Sequence, residues 1–415
     1  MRANAILRAA FLISAALCLN CSLAGRALGQ DVGGDVGGAS IFRAKNPETK
    51  KKPGATTTKP AATSSRSGTR TGAAPSRAVA ERIEDLLDKG NEARDTRNFA
   101  NAEESYKEVL KLKARDARAA YGLGNIYSDQ QRWEDAEAAY RNSIAWAPTN
   151  ADAYVALSVV LVQPRTNGDN AKRFADAEVF ARKAVQIDPK NAVGWDRLGV
   201  ALQARGLANS ETEHSYRRAI ELDPQFAAAY AHLARMLNRA QRPAEAAPMY
   251  EKASELAKDP ATLNLIAESL QNEQLWPQSE PVLKRALDLE ARNPTSLFLM
   301  GRLLIVYKRF QEAEPYLKSA TEVSSRAFQP FNLLGRAYLG MDRFSDAEAT
   351  YERASALAGA GDKKQLAGVY GFEGVGDGYL KLNQKDNAAR AYQRALELDP
   401  ANSGAAQKLA KARSN

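Results

Sequence analysis

The feature that most constrains this chain is its own repetition. RKAVQIDP at 182–189 returns as RRAIELDP at 217–224 and as QRALELDP at 393–400. Around these strings a longer pattern recurs. In 121–148, YGLGNIYSDQQRWEDAEAAYRNSIAWAP, Leu123-Gly124 is followed by Tyr127, Ala136, Tyr140 and Pro148, at positions 7, 8, 11, 20, 24 and 32 of a unit starting at Ala117. The same spacing holds for Leu334-Gly335, Tyr338, Ala347, Tyr351 and Ala354, and for Gly376, Tyr379, Ala388, Tyr392, Ala395 and Pro400. Each unit contains two apolar stripes at helical spacing with a short polar turn between them, such as Ser128–Arg132. A unit of this kind cannot cover its own apolar face, so stability has to come from stacking on its neighbours. Asp-Pro stops the second helix where the next unit begins.

Leucine at position 7 and small residues at 8, 20 and 27, with aromatics at 11 and 24, make a pattern that resembles the tetratricopeptide repeat. The register divides the chain into nine units: 83–116, 117–150, 151–191, 192–226, 227–259, 260–293, 294–327, 328–361 and 369–402. The first departs from the pattern at Lys89 and Ala93, and the sixth at Ser279 and Leu283. The resemblance implies an all-α fold, an α-solenoid of stacked helix-turn-helix units in a right-handed superhelix. Residues 403–415, with Ala406, Leu409 and Ala410 on one face, read as a C-terminal capping helix.

The N-terminal part is different. Arg2 and Arg8 precede an apolar run of eleven residues, Ala9 to Leu19, and no acid occurs before Asp31. That is the layout of a signal peptide over 1–29, with cleavage after Ala24, Ala27 or Gly29. The run is shorter than the roughly 20 residues a membrane span needs. A mitochondrial presequence and a lipoprotein acylated at Cys21 are the alternatives; the first fits poorly because the apolar block is continuous, the second because Cys18-Leu19-Asn20 lacks the small residues such processing uses. The expected location is therefore periplasmic or extracellular. Cys18 and Cys21 are the only cysteines, so the mature chain has none for disulfides, zinc or nucleophilic catalysis.

Residues 30–78, rich in Pro, Thr, Ser, Gly and Lys, read as a disordered basic linker. Residues 1–78 hold twelve Lys and Arg against three Asp and Glu, which is the whole net charge of +9. The repeats themselves are neutral, and no nucleic-acid partner is expected, because its basic footprint belongs on a folded face. The linker is either a plain spacer or a weak contact for an anionic surface.

Catalytic chemistry finds no carriers. His214 and His232 are the only histidines, and two imidazoles without a carboxylate cluster make a poor metal site. The run 368–379, GVYGFEGVGDGY, lacks the Lys-Ser/Thr of a phosphate loop and follows no strand. Its surplus glycines, with the extra residues 362–368, suggest a soft joint before the last unit. QPRTNGDNAKR at 163–173 reads as a lengthened turn, either a contact loop or a thermodynamically inexpensive insertion. No cofactor, metal or small-molecule substrate is expected, and the chain is not read as an enzyme.

The resemblance implies that peptide or protein partners bind the concave groove through first-helix positions 2, 5, 9 and 12. The candidates are Asn91, Tyr121, Asn125, Val159, Arg235, Asn264, Phe298, Arg302, Asn332 and Arg336. Their arginines offer bidentate donors to carboxylates. The Lys-Asn clamp that some members use is not reproduced at Leu87, Asn91, Gly122, Asp152 and Ala156. The expected activity is that of a scaffold or adaptor; the alternative is an accessory subunit of an envelope polymer-export or glycosyl-transfer assembly.

Overall fold

The computed structural model describes residues 44–49, 76–163 and 169–414. Apart from the extended stretch 44–49, the described chain is helices and turns. The first helices of the repeat are α1 (Arg77–Asp95), α3 (Ala117–Asp129), α5 (Ala151–Leu161), α7 (Ala192–Ala204), α9 (Ala227–Arg239), α11 (Pro260–Asn272), α13 (Pro294–Val306), α15 (Phe328–Gly340) and α18 (Phe372–Lys381). The second helices are α2 (Phe99–Leu112), α4 (Trp133–Trp146), α6 (Asn170–Ile187), α8 (Ser210–Leu222), α10 (Pro243–Leu256), α12 (Trp276–Leu289), α14 (Phe310–Val323), α16 (Phe344–Ser355) and α19 (Lys385–Leu398). A short helix α17 (Ala360–Ala367) precedes α18, and α20 (Ser403–Ser414) ends the chain. The fold is all-α, as the repeat requires. The chain divides into two compact units, one ending at Met236 and the other running from Leu237 to Asn415. No helix among the described residues is long and apolar enough to cross a membrane.

Within a hairpin the small residue at position 8 exists for the aromatic at position 24. A Cβ placed on Gly124 would lie 2.5 Å from the ring of Tyr140, and one on Gly376 would lie 2.5 Å from Tyr392. Both rings are fully buried. Interiors are close-packed, so any larger side chain at these glycines drives the hairpin apart.

Helix ends follow the polar residues between stripes. Asp116, Asn191, Asp259 and Asn293 each cap a first helix by accepting a backbone N–H with the side chain. The recurring Asp-Pro is a C-cap with a built-in turn. Asp188, Asp223 and Asp399 follow the last residue of α6, α8 and α19, and their carboxylates accept the N–H two residues on, at 3.0, 3.0 and 3.1 Å.

The described turns inside the hairpins carry a signal the sequence did not advertise. Arg97, Gln131, Gly206, Gln241, Gln274, Lys308, Asp342 and Asn383 all have φ between 56° and 79°. All occupy position 15 of their units, so in eight of the nine hairpins one left-handed residue reverses the chain; the turn of the third lies outside the described residues.

Two expectations change. The extra residues 362–368 fall largely within α17, and the glycines after them serve close approach rather than softness. A Cβ on Gly371 or Gly374 would run into the backbone carbonyl of Leu366 or Val369. In the 163–173 insertion, residues 164–168 lie outside the described residues, while α6 already begins at Asn170. Arg173 there is buried and donates to Val160 O at 3.0 Å and to Glu137 at 2.9 Å. The proposed signal peptide, 1–29, lies wholly outside the described residues. So does the basic linker, except for residues 44–49 and 76–78.

Candidate functional site

The described part of the linker does not stand clear of the helices. Ala44 and Pro47 are buried, Lys45 and Glu48 exposed, Asn46 and Thr49 between. Burial therefore recurs at every third residue. The segment lies along α1 and α3, held mainly by its carbonyls. Asn125 Nδ2 donates to Lys45 O at 2.8 Å, and Asn91 Nδ2 to Pro47 O at 3.0 Å. Arg94 Nη1 donates to Ala44 O at 2.6 Å and to Asn46 Oδ1 at 2.9 Å. Arg118 Nη1 reaches Glu48 O at 3.2 Å.

The two asparagines are aimed by the repeat itself. Tyr106 and Tyr140, at position 24, donate their hydroxyls to Asn91 Oδ1 and Asn125 Oδ1, each at 2.9 Å. With its oxygen engaged, each amide turns its N–H₂ toward the segment. Arg94 is fixed in turn by Asp129, at 2.7 Å from Nε and 3.1 Å from Nη2. Asn91 and Asn125 were read from the sequence; Arg94 at position 12 and Arg118 at position 2 were not singled out, although the register marks both positions as groove-lining. Tyr121 is buried with its hydroxyl unpartnered, its ring 5.8 Å from that of Tyr140, and burial pushes its pKa up.

The middle candidates are packed differently. Val159 is buried at 1% exposure, as are Val155 and Val162, so these valines are core rather than open surface. Arg235 Nη2 reaches Gln203 Oε1 at 3.4 Å, and its buried Nε has no acceptor. The imidazole of His232 is fully buried, with Nδ1 2.8 Å from Asp196 Oδ1, while His214 sits edge-on to Trp195 at 5.8 Å. Burial lowers the pKa of His232 against the opposing pull of Asp196. No cluster of three or more metal-ligating side chains occurs among the described residues.

In the second unit the candidates leave donors bare. Arg302 is 5% exposed; its Nε donates to Gln271 Oε1 at 2.7 Å, but its buried Nη2 has no acceptor among the described residues. Burial lowers its pKa, with the charge of Glu268 acting against the shift. Phe298, also buried, lies with its ring centroid 6.0 Å from the Arg302 guanidinium. On α15, Asn332 is buried, and its Nδ2 has no partner among the described residues. Arg336 lies over the ring of Tyr370 at 4.9 Å and forms no ion pair among the described residues. Burial lowers its pKa as well. Asn264 is already satisfied, donating to Asn293 Oδ1 at 3.0 Å and accepting from Ser296 Oγ at 2.8 Å.

Family models described as "Tetratricopeptide repeat" match residues 87–151 and 200–260, and residues 370–402. The chain carries tetratricopeptide repeats. Among curated proteins, the repeats are 32% identical over 180 residues to "Cellulose synthase operon protein C" of Xanthomonas axonopodis pv. citri, covering 42% of this chain and 12% of that protein. They are 29% identical over 174 residues to "Hsp70-Hsp90 organizing protein" of Triticum aestivum, covering 41% and 27%. The chain thus spans about an eighth and about a quarter of these relatives. Among solved structures, the tetratricopeptide array is similar to pilF of Pseudomonas aeruginosa (TM-score 0.41, 14% identity, 53% of this chain and 97% of that one). It is also similar to a thermophilic TPR protein of Thermus thermophilus (0.40, 21%, 46% and 99%). Tetratricopeptide-repeat proteins generally mediate protein–protein interaction, and the family is generally non-catalytic.

Proposed function

We propose that this chain is a non-catalytic scaffold that binds extended peptide segments of protein partners along the first-helix face of its repeats, in an extracytoplasmic compartment. One observation carries the reading: the amides of Asn91 and Asn125 hold the carbonyls of Pro47 and Lys45, alternate residues of an extended segment. A face that grips carbonyls accepts many sequences, and specificity is then set by the pockets and charges around it. Arg302, Arg336 and Asn332 supply that element in the second unit, as donors for an acidic side chain or a C-terminal carboxylate.

The test is an array of extended peptides, with and without Asp or Glu, probed with the full chain. Acidic peptides are expected to bind, and Arg302→Glu combined with Arg336→Glu is expected to abolish that binding with helix content unchanged. Binding that ignores the double substitution removes these arginines from the site. For the compartment, residues 1–40 fused to a reporter enzyme that needs a disulfide are expected to give activity in a bacterial host; an inactive fusion counts against export.

The similarity to a cellulose synthase operon protein favours a second reading, an accessory subunit of a polymer-handling assembly. An enzyme co-purifying in fixed ratio from the native source would favour it over a general adaptor.

A further inference from the structure

The face lined by α1 and α3 is not empty: the chain's own residues 44–49 lie on it. Four of the five backbone carbonyls from Ala44 to Glu48, all but that of Asn46, accept hydrogen bonds from Arg94, Asn125, Asn91 and Arg118. The side chain of Asn46 adds a further pair of bonds, accepting from Arg94 and donating to Asp95 Oδ2 at 3.0 Å. Ala44 is 5% exposed and Pro47 is buried as well, while Lys45 and Glu48 point outward. Such a set of contacts has the properties of a bound ligand: backbone reading, two side chains inserted three apart, and one polar side chain recognised at both of its ends.

The geometry also suits an occupant from the same chain. The segment runs against α1, with Ala44 at Arg94 near the helix C-terminus and Glu48 at Arg118, which itself pairs with Glu84 at 2.9 Å. Thr49 therefore points back toward the start of α1 at Arg77. Arg77 to Glu84 is seven helical steps, about 10 Å of rise. The 27 residues between Thr49 and Arg77 can reach many times that distance, since each extended residue spans about 3.3–3.6 Å.

We propose that Ala44–Thr49 is an internal ligand that occupies the α1/α3 face in the free chain, and that a partner enters this part of the array by displacing it with an extended segment of the form small-x-Asn-Pro. This rests on the reading that the first-helix face binds peptides, and it adds a competitor carried by the chain itself. Tethering makes the competitor intramolecular, so an external peptide of the same sequence meets a site already filled at high effective concentration. Substitutions in the segment open the site without touching a helix.

The test uses a fluorescent peptide of residues 42–51, FRAKNPETKK, read by anisotropy against the full chain and against the full chain carrying Ala44→Asp with Pro47→Gly. The peptide is expected to bind the substituted chain at least about 10-fold more tightly than the parent. Adding Asn91→Asp and Asn125→Asp is expected to abolish that binding, because Asp still accepts the Tyr106 and Tyr140 hydroxyls but no longer donates to a carbonyl. An unchanged far-UV spectrum shows that these chains are folded. Equal affinity for parent and substituted chain overturns internal occupancy and leaves peptide binding standing. Failure to bind either chain overturns both. A parent chain whose mass doubles with concentration while the substituted chain stays monomeric overturns the intramolecular form in favour of exchange between copies.

Discussion

The face of α1 and α3 and the face of α13 and α15 are built on the same register, yet they treat their donors in opposite ways. In the first, Asn91, Asn125 and Arg94 spend theirs on the carbonyls of residues 44–49. In the second, Arg302 Nη2 and Asn332 Nδ2 are buried without an acceptor among the described residues, and Arg336 lies over an aromatic ring. A buried donor left unpaired costs about 1–3 kcal/mol, more when charged. Where amide and guanidinium donors are used the face is at rest; an unpaired guanidinium nitrogen and amide carry a cost that a bound anion would remove. The difference teaches that position 9 is where this array is differentiated. Asparagine there, aimed by the tyrosine at position 24, holds a backbone carbonyl; arginine there presents a charged donor.

The largest expected effect comes from breaking the second face. Arg302→Met replaces a buried charge with an apolar chain of similar volume, and is expected to stabilise the second unit by about 1–4 kcal/mol in denaturant unfolding while weakening acidic-peptide capture. A destabilising result means that Arg302 is paid for by contacts within the fold and is not waiting for a ligand. Next in size is the first face. Asn125→Ala strips the acceptor from the buried Tyr140 hydroxyl and the donor from Lys45 O, and is expected to cost about 1–3 kcal/mol. Hydrogen exchange in α3 and α4 should rise with it; unchanged exchange would dissociate the asparagine from the hairpin.

A third comparison uses pH. Both histidines lie in the first unit, and the second has none. Burial holds the folded pKa of His232 below its unfolded value near 6.5, in a setting that includes Asp196, Arg197, Arg235 and Tyr216. Below pH 6.5 the unfolded chain binds a proton that the native chain refuses, so the first unit is expected to lose stability as pH falls from 7 toward 5. His232→Gln should flatten that slope, while hydrogen exchange in α13–α15 should be indifferent to the same titration. The smallest effect is at the turns. Gln131 has φ 59°, a region that disfavours side chains, and Gln131→Gly is expected to stabilise its hairpin by about 0.5 kcal/mol, relief of strain being partly offset by chain entropy. A loss of stability there would show that the Gln131 side chain supports the turn.

Much of the fold was legible because close packing writes itself into residue size. Gly124 opposite Tyr140 and Gly376 opposite Tyr392 leave a small-large signature that no other arrangement of these residues produces so regularly. The left-handed residues at position 15 were silent, since Arg97, Gln131 and Lys308 carry no preference for that conformation and are imposed by the hairpin around them. In the site, Asn91 and Asn125 could be read from the register, whereas their occupant could not. Ala44–Thr49 is recognised chiefly through carbonyls, which every residue has, so its composition reads only as linker. Val159 is a related case: an apolar residue at a groove position looks the same in sequence whether it faces solvent or the core, and here it is buried.

The last helix bears on how the protein behaves in salt. Of α20 only Ala405 is buried, and the helix is pinned by Lys408, whose Nζ lies 2.8 Å from Glu373 Oε1 and 2.7 Å from Asp377 Oδ2, with Asn402 adding bonds to Glu373 and to Ala367 O. An attachment with so little apolar area depends on partly exposed charges, and mobile ions screen these over about 8 Å at physiological strength. Raising ionic strength is therefore expected to loosen α20, and limited proteolysis at increasing salt would then cut first within 403–414.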